Sequence, residues 1–125
     1  MEKIIEGIIR NAKKDKDILA VAQFGSSLKT QNYRDIDICL FLKEKLTNPQ
    51  MTKKRLDFIA INPDKLDVQI FQQLPMYIRM RILKEAKILF CKNQKLLYEI
   101  AYQTIKDFNS YEKLYEMYLN KVENG

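Results

Sequence analysis

The residues Ile18 to Phe24, ILAVAQF, form a nearly unbroken apolar run closed by Gly25. A run this short with glycine behind it reads as a buried β-strand rather than as part of a helix. A fold for this chain must therefore supply a sheet. After the polar stretch Ser26 to Arg34, the segment Asp35 to Leu42 alternates. Ile36, Ile38, Leu40 and Leu42 fall on one face, with Asp35, Asp37, Cys39 and Phe41 on the other. Asn62-Pro63-Asp64 makes a turn into a third strand, Leu66 to Phe71, which puts Asp67, Gln69 and Phe71 on one face. Lys87 to Cys91 reads as a last short strand.

Helical patterns lie between and around these strands. Ile4, Ile5, Ile8 and Ile9 share a face of an amphipathic helix from about Glu2 to Lys14. A second helix runs over about Met51 to Ile59, with Asn48-Pro49 marking its approach, and a third from Pro75 to about Lys84. From Gln94 to Val122, Leu97, Ala101, Thr104, Phe108, Tyr111, Tyr115, Tyr118 and Val122 recur at spacings of four and three. That period of about 3.5 residues is the seam one helix offers another. Unbroken, such a helix reaches roughly 40 Å, longer than a small sheet needs for cover. The first half is therefore expected to pack on the sheet, with a break near Asn109-Ser110 as one option. The tail, with Tyr111, Tyr115 and Tyr118, is left for a partner chain or a second copy. The expected architecture is α/β (α+β), a small mixed sheet of about four strands flanked by helices, with a long C-terminal helix or helix pair. Residues 1–92 form the domain proper and 93–125 a helical extension.

Composition narrows the chemistry. With 125 residues, 46% hydrophobic and 30% charged, the chain has the make-up of one globular domain. It contains no histidine, so Ser-His-Asp and Cys-His hydrolases, His-ligated zinc and a histidine general base are excluded. Catalysis here rests on carboxylates, lysine, arginine, hydroxyls or a hard metal. Cys39 and Cys91 each lie in an apolar run and are expected as reduced thiols. No apolar stretch approaches the ~20 residues of a membrane span, and Met1-Glu2-Lys3-Ile4-Ile5 is too broken by charge for a secretory signal. A cytoplasmic location is the expectation. The net charge of +6 suits an anionic partner such as a nucleotide. The lysines are scattered over helix surfaces, and no basic tract with interleaved aromatics occurs, so direct nucleic-acid binding is not expected.

The chemistry concentrates between Phe24 and Asp67. A buried strand ends in Gly25-Ser26, the chain turns, and a second strand opens on Asp35-Ile36-Asp37. Aspartates at i and i+2 of a strand project from one face, where both carboxylates can reach one metal or bridge two roughly 3.5–4 Å apart. Adjacent like charges destabilise a bare sheet face, so a cation is expected to neutralise them. Mg2+ prefers oxygen ligands and carries triphosphate with it. Gly25 lets the backbone approach a phosphate, Ser26 offers hydroxyl and N–H, and a short helix starting near Ser27 would add free N–H groups. If the strands are neighbours, Asp67 completes an acidic triplet and can orient or deprotonate an attacking hydroxyl. Asp57 and Asp64 compete for that third place, but they fall in a helix and a turn.

The order of these elements resembles the minimal nucleotidyltransferase (MNT) domains of the DNA polymerase β superfamily. The resemblance rests on FGSSLKTQNYRDIDICLFL, then LDVQIF, and extends through LPMYIRMRILKEAKILF to YQTIKDFNSYEKLYEMYLNKV. Eight residues, Ser27 to Arg34, separate Gly-Ser from Asp-x-Asp; the family's loop is longer, and Thr30 stands where it has a further glycine. The resemblance implies the nucleotidyltransferase fold. It further implies that Gly25 and Ser26 hold triphosphate, Asp35 and Asp37 bind Mg2+ (two ions), and Asp67 is the third catalytic acid and metal ligand. Lys29 and Arg34 are candidate phosphate contacts from their position. It also implies an antitoxin that transfers AMP from ATP to a tyrosine of a HEPN-domain RNase toxin. Two other readings stand beside it: an antitoxin that neutralises its HEPN partner by occlusion alone, and a nucleotidyltransferase acting on a small molecule.

Overall fold

The computed structural model describes residues 1–29 and 35–124. Five helices, α1 (Glu2–Lys14), α2 (Ser26–Lys29), α3 (Asn48–Ile59), α4 (Met76–Glu85) and α5 (Gln94–Asn124), accompany four strands. The strands are β1 (Ile18–Phe24), β2 (Ile36–Leu42), β3 (Leu66–Ile70) and β4 (Lys87–Cys91). The sheet order is β3-β2-β1-β4. β1 runs antiparallel to both β2 and β4, and β2 runs parallel to β3.

The two faces of the sheet carry separate cores. On one, Ile36, Ile38, Leu40 and Leu42 of β2 pack with Val68 of β3, under Ile8 and Ala12 of α1 and Met51 and Phe58 of α3. On the other, Ala20, Ala22, Cys39 and Phe41 pack with Phe71, Ile82 of α4 and Leu97 of α5. The alternation of β2 thus sorts its side chains between two helical layers, as a strand period of two requires. Burying each such Leu, Ile or Phe contributes about 1.5–3 kcal/mol.

Local signals explain the boundaries. Thr47 caps α3: its hydroxyl accepts from the Gln50 N–H at 3.3 Å, while the Gln50 side chain accepts from the Thr47 N–H at 3.0 Å. Pro49 lies in the first turn, where its missing N–H costs nothing. Phe71, expected as the end of a strand, instead opens a single 3-10 turn over Phe71–Gln73. There its ring stacks on Phe41 at 4.4 Å between centroids, and Arg79 pins the turn by donating to the carbonyls of Leu74 and Gln72 at 2.7 and 3.0 Å. Lys54 ties α3 to the loop before β1 through Asp15 and Asp17, at 2.6 and 3.1 Å.

The break considered near Asn109-Ser110 does not occur: α5 is one helix of 31 residues, about 46 Å long at 1.5 Å per residue. Leu97 and Thr104 are buried and Phe108 half-buried, whereas every residue from Asn109 to Glu123 is exposed. No helix among the described residues is long and apolar enough to cross a membrane.

Topology fixes a polarity that matters for the site. β2 and β3 both run away from their aspartates, and β1 runs toward Phe24, so Phe24, Asp37 and Asp67 share one end of the sheet. α4 returns to that end at Glu85 and β4 leaves from it. α5 starts at the opposite end, where Leu97 joins Leu19 and Ala20. It reaches the level of Arg81 and Lys84 at Ile105 and Phe108. The exposed half of α5 therefore runs on past the aspartate end of the sheet.

Candidate active site

At that end the chain leaves β1 through Gly25, whose φ of 77° lies in the left-handed region, a conformation that costs other residues dearly. Space makes the same demand. A Cβ on Gly25 would collide with the Asp37 carboxylate, whose Cγ is 3.0 Å from where that atom would lie. The Asp37 side chain is thus held against bare backbone. The Leu28 N–H closes the turn onto the Gly25 carbonyl at 3.2 Å.

The Gly-Ser pair divides its neighbours' roles. Ser26 opens α2 and is exposed, free to meet a ligand. Ser27 is buried, and its Oγ accepts from the Gln23 side-chain amide at 3.1 Å. That bond fastens α2 back onto β1 and fixes where Ser26 stands.

Asp37 is the centre of the acidic group. It lies opposite Phe24 across the antiparallel ladder and opposite Asp67 across the parallel one. Asp35 lies one residue before β2 rather than inside it, and is exposed; the ladder takes hold at Ile36, whose N–H donates to the Lys65 carbonyl at 2.7 Å. Asp67 is half-buried in β3 and its Oδ1 accepts from the Gln69 side chain at 3.2 Å. The Asp37 carboxyl is pushed above its ordinary value, first by burial, then by the charge of Asp67 and then by that of Asp35. Asp37 therefore feels both of the other acids named from the sequence, and a cation beside it relieves the repulsion.

Of the competing acids, Asp57 lies in α3 beside Lys53 and Lys54, in a groove that also holds Lys16 and Asp17 of the loop before β1. Asp64 lies exposed in the turn before β3. Among the described residues, no three His, Cys, Asp or Glu side chains already surround one point as metal ligands do. What the strands supply is a set of neighbouring hard oxygen donors with an excess of negative charge, which suits Mg2+ rather than a soft metal. Cys39, on the same face, is fully buried and its thiol is pushed up by burial, so it remains a core residue. Both cysteines are free. Arg34 and Thr30, like the side chain of Lys29, lie outside the described residues.

One feature was not foreseen from the sequence. Beside Gly25, a cavity of about 270 Å3 is lined by Phe24, Ile78, Arg81, Ile82 and Glu85. The four α4 residues fall at i, i+3, i+4 and i+7, one helical stripe. That spacing was visible in the sequence, but nothing local says the stripe faces Gly25.

Comparison with known proteins gives this arrangement relatives. The family model described as "Polymerase beta, Nucleotidyltransferase" matches residues 6–95. A putative protein adenylyltransferase of Methanocaldococcus jannaschii is 32% identical over 75 residues, which cover 58% of this chain and 56% of that protein. The match thus spans little more than half of that relative's length. Among solved structures, a chain from the toxin–antitoxin complex MntA–HepT superposes with a TM-score of 0.70 at 15% identity, covering 98% of both chains. One from the tri-AMPylated Shewanella oneidensis HEPN toxin in complex with MNT antitoxin gives 0.66 at 16% identity, covering 97% of this chain and 94% of that one. A toxin–antitoxin structure with AMP-PNP gives 0.69 at 19% identity, covering 97% of each. At such identities the structural likeness is one of fold, and it spans nearly the whole chain. With a family match running from α1 through β4, the chain belongs to the polymerase beta nucleotidyltransferase family.

Proposed function

We propose that this protein is a metal-dependent protein adenylyltransferase, acting in the cytoplasm as the antitoxin of a HEPN-type toxin. The observation that carries this reading is the pairing of Asp37 with Asp67 across neighbouring strands, with the charge of Asp35 also acting on Asp37 and Gly25 clearing space beside it. The likeness to a putative protein adenylyltransferase and to the fold of HEPN–MNT complexes supports the choice of acceptor.

In this mechanism Gly25 and Ser26 receive the triphosphate of ATP through backbone and hydroxyl donors. Lys29 and Arg34 are further candidate phosphate contacts. Asp35, Asp37 and Asp67 would hold Mg2+, which when bound offsets the charge of carboxylates and phosphates together. Asp67 orients the phenol of an acceptor tyrosine and takes its proton. The tyrosine oxygen forms a bond to the α-phosphorus, the bond from that phosphorus to the β-phosphate oxygen breaks, and pyrophosphate leaves with the electron pair. The exposed half of α5 runs on past the sheet end that carries the acids, with Tyr111, Leu114, Tyr115, Met117, Tyr118 and Val122 uncovered. A protein docked there is delivered beside the carboxylates, which favours a protein acceptor over a small molecule.

The alternative in which the partner is blocked by occlusion alone is separated by one comparison. The HEPN partner is incubated with ATP, Mg2+ and either the wild type or an Asp35→Asn/Asp37→Asn variant. The antitoxin is then stripped off and the partner's RNase activity measured. Lasting inactivation by the wild type only is the expected result. Full recovery of RNase activity after both treatments would replace catalysis with occlusion.

A further inference from the structure

The cavity beside Gly25 has no role in the mechanism above. It opens on the same sheet face as the acids, since Phe24 lies directly across the ladder from Asp37. The strand order puts Asp37 between this cavity on the β1 side and Asp67 on the β3 side. An acceptor activated by Asp67 therefore approaches from one flank, and the cavity lies on the other, next to the turn assigned to the triphosphate. At about 270 Å3 it falls just under the roughly 300–1,000 Å3 of pockets that enclose a whole ligand. It suits one part of a nucleotide.

Its walls suit a flat ring with polar edges. Phe24, Ile78 and Ile82 give an apolar floor, and Arg81 and Glu85 stand exposed at the rim. Among the described residues neither makes an ion pair or a side-chain hydrogen bond, in contrast to Arg79 and Arg55, which are committed to backbone carbonyls. A guanidinium only donates and a carboxylate only accepts. An adenine edge offers the complement, an exocyclic amine beside a ring nitrogen. A guanidinium plane also stacks well on an aromatic ring.

The geometry points to this cavity as the purine subsite of the donor nucleotide, with Arg81 stacking on or donating to the base and Glu85 accepting from its exocyclic amine. This assignment rests on the nucleotidyltransferase reading of the site and names residues that set its base preference.

The test is equilibrium binding by calorimetry, in Mg2+, of ATP, ITP and inorganic tripolyphosphate. The full chain is compared with Glu85→Gln and Ile78→Trp. Inosine lacks the exocyclic amine, so the wild type binds ATP about tenfold more tightly than ITP, the worth of one hydrogen bond to a charged group. Glu85→Gln brings that ratio close to one. Ile78→Trp fills the cavity, weakening ATP at least tenfold while leaving tripolyphosphate affinity unchanged, which also shows that the variant is folded. Unchanged ATP affinity and ATP/ITP ratio in both variants would overturn the subsite and leave the nucleotidyltransferase reading standing. So would an equal loss of ATP and tripolyphosphate binding in Ile78→Trp. A wild type that binds neither ATP nor tripolyphosphate would overturn both.

Discussion

Asp37 is the residue on which the site turns, and its environment makes a prediction that needs no partner. Its carboxyl is pushed up by burial and by Asp67 and Asp35, so the folded state holds a proton there more tightly than the unfolded chain does. A raised pKa of this kind favours the folded state at low pH, and the advantage is lost as pH rises through the folded value. Asp37→Asn should therefore stabilise the metal-free protein near neutral pH, by under about 1 kcal/mol given its partial exposure. The gain should vanish below pH 4, as thermal melts across pH will show. Added Mg2+-ATP should reverse the order, raising the wild type's melting temperature and not the variant's. Gly25→Ala, by contrast, forces both φ and the Asp37 carboxylate to move. We expect a loss of more than about 1 kcal/mol in stability, with nucleotide affinity falling alongside it in calorimetry.

At the scale of elements, the second core depends on Phe41, fully buried and stacked on Phe71. Phe41→Ala should cost about 3–5 kcal/mol in a urea titration. A chain ending at Phe108 should melt within about 1 kcal/mol of the full protein, because no residue from Asn109 to Glu123 is buried. The same truncation should abolish co-elution with the proposed HEPN partner. How much of this was legible in the sequence differs by element. Ile18–Phe24 and Ile36–Leu42 announced themselves because burial on both sides leaves a continuous run, and a sheet between two layers leaves an alternation. Phe71 did not, because its apolar character continues the β3 pattern while the backbone turns away to reach Phe41. Asn109-Ser110 suggested a break, but without glycine or proline these residues cost a helix only tenths of a kcal/mol each, and α5 runs through them. The grouping of Asp35, Asp37 and Asp67 at one sheet end was legible from order and spacing, given the one assumption that β2 and β3 are neighbours. Arg81 and Glu85 were not, because their approach to Gly25 is set by how α4 packs on β1.

The whole molecule joins a sheet end carrying three neighbouring carboxylates to a helix that extends past it. The tail alternates charge, with Glu112, Lys113, Glu116 and Lys121 set among exposed tyrosines and leucines. It can therefore present an apolar face to a partner and stay solvated on the other. A protein acceptor held on that arm and a nucleotide held at Gly25 would meet at Asp37 and Asp67. The most direct test is to incubate the purified protein and a candidate HEPN partner with Mg2+ and ATP labelled either at the α- or the γ-phosphate, beside Asp35→Asn/Asp37→Asn. The account predicts label on a partner tyrosine from α-labelled ATP only, and none with the variant. Label from γ-labelled ATP, equal labelling by the variant, or no labelling of a partner that still binds tightly would contradict it.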